Sequence, residues 1–240
     1  MRISTGTTRV LAWIIFIFTW TIIALLVNNG LYLPSPWETL LALKGILVQK
    51  QTYLILGLST LRVTLGLVLA LTIGSFLGLL GGFNRTVSIL LTPLESLLKS
   101  VPVVSFIMLA LLWIGSRGVP IFISFLMTMP IFWSAVEASV KQADPKLLEM
   151  MDVFSLGFYK KLKYFYLPWA AGYLKLAIRQ AVGLAWKAAV AAEVLSNTPL
   201  SLGRKIQESK VYLETADLFA WTLLLLLFSF LMERLVRHEA

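Results

Sequence analysis

The sequence contains no cysteine and one histidine, His238, close to its C-terminal end. Without thiols there is no disulfide framework and no thiolate metal site. A single terminal imidazole also argues against a histidine-based metal or acid–base centre. Charge is scarce: Asp, Glu, Lys and Arg make up 14% of the chain, against about 25% in soluble domains. No GxxxxGK[ST] stretch occurs, so nothing in the chain reads as a nucleotide phosphate loop. Paired carboxylates, ligand clusters and nucleophile motifs are missing too, which argues against an enzyme. No segment shows the period-two alternation of a membrane barrel strand.

What is present is apolar. Hydrophobic residues make up 58% of the 240, and mean hydropathy is +0.84. That is the composition of an integral membrane protein. The net charge of +9 comes from cations flanking apolar runs. It reads as positive-inside bias rather than as a nucleic-acid surface.

A helix needs about 20 apolar residues to cross a bilayer. Runs near 10–28, 54–81, 87–114, 119–140, 169–195 and 214–233 predict an all-α polytopic membrane protein with about six transmembrane helices. They form a single transmembrane domain over 1–240, with core helices at 54–233. The first run has two readings, a signal peptide or a retained first helix at 10–28. Its length, and the lack of a small-x-small site in VNNGLYLP, favour the retained helix. With the N-terminus inside, ten cations face the cytoplasm, among them Arg2, Arg9, Arg85, Lys160 and Arg237. Six, among them Lys44, Arg117 and Arg204, face outward. The bias places both termini inside.

Several irregularities stand out. Pro34 and Pro36 fix a turn ahead of a short amphipathic helix, started at Ser35 or Pro36, on the outer surface. Gly74, Gly78 and Gly82 form a small-xxx-small line that lets another helix approach closely. LLTPLESLLKSVPVVSF puts Pro93, Glu95, Lys99 and Pro102 in one apolar run, predicting a broken third span. Pro130 predicts a kink in the fourth.

Residues 149–168, EMMDVFSLGFYKKLKYFYLP, are too short and too polar to span. Asp144-Pro145 reads as N-cap and first helical residue. A first short helix carries Leu147, Leu148, Met151 and Phe154 on one face. Ser155-Leu156-Gly157 turns the chain. A second helix, FYKKLKYFY, closes at Leu167-Pro168, where the next span starts. Two readings fit: a helix lying in headgroups, or a surface for a protein partner. The break at 155–157 and the polar groups of Glu149, Asp152 and Ser155 favour a partner.

Glu149 with Leu167-Pro168, 19 residues on, resembles the EAA-type signature of ATP-binding-cassette (ABC) importer permeases. Met150 and Met151 stand in place of the family's usual Ala pair. Ser155 stands where the family usually has Gly, and Gly157 follows two residues later. LPSPWETL, TLRVTLG, LGLLGGFNR, KSVP and GLAWKAAVAAEVL are similar to the nitrate/sulfonate/taurine branch of these permeases. The resemblance implies the type I permease fold and an inner-membrane location. It implies that 145–167 form coupling helices seated on an ATPase subunit, with Glu149, Asp152, Ser155, Gly157, Leu167 and Pro168 at the contact. It further implies two ATP-binding subunits, a second permease copy or a paralogue, and an extracytoplasmic solute-binding protein. ATP and Mg would be bound by the partner, leaving this chain without a cofactor.

Charges inside a membrane are functional candidates by default. At 100° per residue Lys175, Arg179, Trp186 and Glu193 fall along one stripe of the fifth span, with Lys187 about 120° away. The stripe is expected to line the translocation path or a permease–permease seam, although Lys175 could snorkel to headgroups and Glu193 could sit at the outer interface. Arg62 and Lys99 are further buried-looking cations. Their partners would be Glu95, Glu137 or carbonyls. Cations outnumber acids in spans two to five, which favours small anions. The competing function is a stand-alone secondary transporter, which would need an ion-coupling site and, by precedent, paired broken helices. No repeat supports it.

Overall fold

The computed structural model describes residues 5–239. Arg2 and the side chains of Arg9, Arg237 and His238 lie outside what is described. The elements are α1 (Thr5–Val27), α2 (Pro36–Val48), α3 (Lys50–Phe83), α4 (Arg85–Ser100), α5 (Val103–Ile114) and α6 (Val119–Lys141). They continue with α7 (Pro145–Val153), α8 (Phe158–Lys161), a π-helical turn (Leu162–Tyr166), α9 (Leu167–Leu195), α10 (Leu202–Val211) and α11 (Thr215–Glu239). No strand occurs among the described residues.

Helices α3, α6 and α11 are each long and apolar enough to cross a membrane. Helix α9 has the length, 29 residues, and carries Lys175, Arg179, Lys187 and Glu193. Helix α1 supplies the apolar stretch Leu11–Val27. The third expected span is two helices, α4 and α5, bent by 101°. Val101 (ψ 132°) and Pro102 (ψ 133°) are both extended. Pro102 has no N–H to continue the ladder and pushes the residue before it out of the helical region. Pro93, by contrast, sits within α4, and α6 runs unbroken through Pro130.

The centre is α3, α6 and α9. A Cβ built on Gly66, Gly74 or Gly78 of α3 would lie 2.6–2.7 Å from the carbonyl oxygens of Ile121, Met129 and Trp133 of α6. One on Gly82 would meet Val140 at 2.6 Å. The glycine line is therefore a backbone-to-backbone seam. Ala70, Met129, Phe132, Trp133, Ala177 and Ala181 fill the space where α3, α6 and α9 meet. Ile107 and Ala110 of α5 pack on Ile123, Ala188 and Ala192. On the other side Ile55, Val63, Trp186, Leu202, Trp221 and Leu224 join α3, α9, α10 and α11.

Ser35 caps α2 in a reciprocal box with Glu38. The Ser35 N–H and hydroxyl both donate to the Glu38 carboxylate and hold it below the usual carboxyl range. Helix α1 lies at the edge, where Trp20 donates to the Pro34 carbonyl and stacks on Phe219.

Candidate functional site

The elbow between α6 and α9 is built locally. Asp144 accepts from the Lys146 N–H at 2.9 Å and caps α7. Helix α7 ends in a Schellman-type closure: the Leu156 N–H reaches the Met151 carbonyl at 3.1 Å, with Ser155 left-handed at φ 51°. The turn is thus made by Ser155, not by the displaced Gly157. Gly157 is extended at φ −62° and precedes α8. Lys161 pairs with Asp152 across the turn.

Helix α8 does not close at Leu167-Pro168 as the sequence suggests. It runs through the π turn into α9. The Leu167 N–H bonds the Leu162 carbonyl, five residues back. An ordinary helical turn would press the Pro168 ring against the carbonyl four residues back. The widened turn precedes Pro168, and the helix continues. One surplus residue in a turn sets the helix back by roughly 100°, so Phe158 and Tyr166, otherwise about 80° apart, come onto one line. Both rings meet Phe83 at the end of α3, at 5.5 and 4.9 Å. Trp169 donates to the Ser139 carbonyl, and Tyr173 to Gln142, fixing the foot of α9 to that of α6.

Met151 is the one side chain of α7 that is buried. Val153 is 82% exposed and Phe154 70%, with Met150, Phe158 and Tyr159 also exposed. Glu149, Leu167 and Pro168 are exposed as well. The elbow therefore presents apolar groups at its tip, edged by Glu149, Asp152 and Lys160.

Farther along α3 from Phe83 lies a buried ion pair. Arg62 donates to Glu193 at 3.1 Å and to the carbonyls of Pro199 and Leu200. Glu193, 1% exposed, also accepts from Ser59 at 2.8 Å and from the Gly203 N–H at 3.2 Å. The Leu202 N–H in turn bonds the Ser59 hydroxyl. A Cβ on Gly203 would lie 2.5 Å from the Val194 backbone nitrogen, so only glycine lets α10 approach α9 this closely. The carboxylate thus ties the α9–α10 loop to α3.

The stripe expected along α9 divides accordingly. Trp186 and Glu193 are buried inside the subunit, whereas Lys175 and Arg179 are exposed and have no ion-pair partner among the described residues. Arg62 finds Glu193, and Lys99 finds Glu95 at 2.6 Å and Ser134 at 3.0 Å. Ser134 donates to the same Glu95. Near the elbow, Glu137 accepts from Lys141, Ser88 and Trp133. Ser59, Gly203, Phe83, Tyr173, Gln180 and Lys187 were not singled out by sequence as members of these constellations. Only Lys187 carried a signal, as a charge in a predicted span.

A bundle of apolar helices, a broken third span and a protruding two-helix elbow define a polytopic membrane protein of the transport-permease class. Residues 70–238, which include the elbow, match the family described as binding-protein-dependent transport system inner membrane component, and the chain belongs to that family. It is 26% identical over 209 residues to the putative aliphatic sulfonates transport permease protein SsuC of Bacillus subtilis, covering 86% of this chain and 75% of that one. It is 26% identical over 240 residues to the taurine transport system permease protein TauC of Escherichia coli, covering 97% and 85%. The bicarbonate transport system permease protein CmpB of Synechococcus elongatus is 29% identical over 147 residues, covering 60% and 52%. The chain is a multi-pass ABC importer permease, a transport subunit rather than an enzyme.

Proposed function

We propose that this permease passes a small organic or inorganic oxyanion, delivered by an extracytoplasmic binding protein, across an inner membrane by alternating access. Two copies of a separate ATP-binding subunit hold ATP and Mg and drive the cycle. The second permease position is filled by another copy of this chain or by a paralogue. Both termini and the elbow face the cytoplasm. The relatives named for sulfonates, taurine and bicarbonate share an acidic oxyanion group, which supports the solute class. Family membership sets aside the stand-alone secondary transporter.

The exposed apolar tip of the elbow carries this reading. Val153 and Phe154 project from a segment that is pinned by Asp152–Lys161 and by the packing of Phe158 and Tyr166 on Phe83. Fully burying one such side chain contributes about 1.5–3 kcal/mol. The ATPase subunit takes the tip, Glu149 lies at the edge of the contact, and Leu167 and Pro168 pass the movement into α9. Lys99, Lys175 and Arg179 remain candidates for the path; Arg62, Trp186 and Glu193 support it from inside.

The test is Val153→Asp combined with Phe154→Asp, and separately Glu149→Arg, in the assembled importer. Co-purification of the ATPase subunit is expected to fall at least tenfold with the double variant, while membrane insertion is unchanged. Full ATPase binding and transport by that variant would overturn the docking role.

A further inference from the structure

The arc of α9 facing away from its neighbours carries polar groups the permease reading leaves unused. With Lys175 at 0°, Leu176, Lys187, Gln180 and Tyr173 fall at about 100°, 120°, 140° and 160°. Buried Ala181, Ala188 and Ala192 face α5 and α6 on one side of this arc. Buried Val182, Trp186 and Glu193 face α3, α10 and α11 on another. Tyr173, Leu176 and Gln180 line a cavity of about 360 Å³ with Lys99 and Ser134. Gln180 lies about 22 Å from the outer end of the helix, at 1.5 Å per residue, and Lys187 about 12 Å. Both are exposed. Neither an ion pair for Lys187 nor a hydrogen bond for the Gln180 side chain occurs among the described residues. An amide and an ammonium at these depths are not lipid-facing groups; they face protein or a wet cavity.

We propose that this arc is the solute-facing wall of the path and that Lys187 is its anion-selecting residue, with the Gln180 amide as the hydrogen-bonding group for a small oxyanion. This rests on the permease reading above and deepens it. Lys99 is the weaker attractor, because Glu95 lies 2.6 Å from its ammonium. The other acid near the arc is Glu233 of α11, whose carboxylate fills the notch where Gly183 has no Cβ, one turn from Lys187. It borders the wall but makes no ion pair with the lysine among the described residues.

The absence of cysteine makes the test clean. Gln180→Cys is introduced as the sole thiol of this chain, in an importer whose partner subunits have had any reactive cysteines replaced. Its reaction rates are measured with an anionic reagent (ethylsulfonate methanethiosulfonate) and a cationic one (ethyltrimethylammonium methanethiosulfonate) at low ionic strength. Both reagents should react, with the anion favoured. Adding Lys187→Gln should lower the anion-to-cation rate ratio by about threefold or more, the effect of one charge some 10 Å away. Lys187→Arg should restore the ratio. If Gln180→Cys does not assemble, Leu176→Cys on the same arc takes its place. A thiol closed to both reagents would mean the arc is packed against lipid or another subunit. That result, or a ratio unmoved by Lys187→Gln, overturns the proposal. ATPase co-purification, scored on the same samples, tests the permease reading independently, since these residues are remote from the elbow.

Discussion

Replacing Arg62 by Ala should release the α9–α10 loop. The guanidinium makes three contacts that hold this loop: to Glu193, and to the carbonyls of Pro199 and Leu200. Its side chain is 13% exposed, so solvent screening is slight. Removing one partner of a buried pair leaves an uncompensated carboxylate and costs about 3–5 kcal/mol. Ser59 and the Gly203 N–H still serve Glu193, which argues for the lower end. A loss of about 3 kcal/mol multiplies the population of the locally opened loop by roughly 10². Arg204 and Lys205 lie at the start of α10 and are natural trypsin sites. Trypsin applied to the membrane face opposite the elbow should cut the Arg62→Ala variant about 10² times faster than the parent, provided opening is fast relative to cleavage. Adding Glu193→Gln removes the stranded charge, so the double variant should lose less than the sum of the two single ones. Unchanged trypsin cleavage and an unchanged thermal midpoint for Arg62→Ala would refute the reasoning.

Two further predictions concern backbone geometry. Gly78→Ala places a methyl 2.6 Å from the Trp133 carbonyl and should destabilise the protein by about 1–3 kcal/mol. Gly57→Ala, in the same helix with open space around its Cβ position, should be neutral or slightly stabilising; equal thermal shifts for the two would refute the seam. Ser155→Gly should relieve about 1 kcal/mol of left-handed strain, partly offset by unfolded-chain entropy. Ser155→Val should destabilise α7 instead, read out as protease sensitivity of the elbow.

The helical spans and the glycine seam were legible in the sequence because both rest on one-dimensional signals. Apolar length marks a span, and four-residue spacing of Gly74, Gly78 and Gly82 marks one helix face. The helix start at Ser35-Pro36 and the break at Pro102 were legible for the same reason. The partner of Glu193 was not. Arg62 lies 131 positions away, and no local pattern indicates which cation a buried acid will meet. The wheel that put Lys175, Arg179, Trp186 and Glu193 on one line was geometrically sound. It could not show that α3, α10 and α11 cover the Trp186–Glu193 half of that line and leave the Lys175–Arg179 half open. The π turn was hidden because a residue-by-residue wheel assumes a constant pitch. Leu167-Pro168 then reads as an end, whereas the helix continues by widening the turn before it.

Phe83 and Arg62 sit on the same helix, about 31 Å apart at 1.5 Å per residue, and each fastens α3 to the chain segment that continues through α9. Two rods fastened at two points this far apart resist sliding past one another and favour rocking together. On the proposed function, a tug of a few ångströms on the elbow would reach the opposite side of the bilayer as a tilt of the 196–204 loop. In the importer proposed above, no separate linkage would be needed to tell a delivering protein outside that fuel has been spent within.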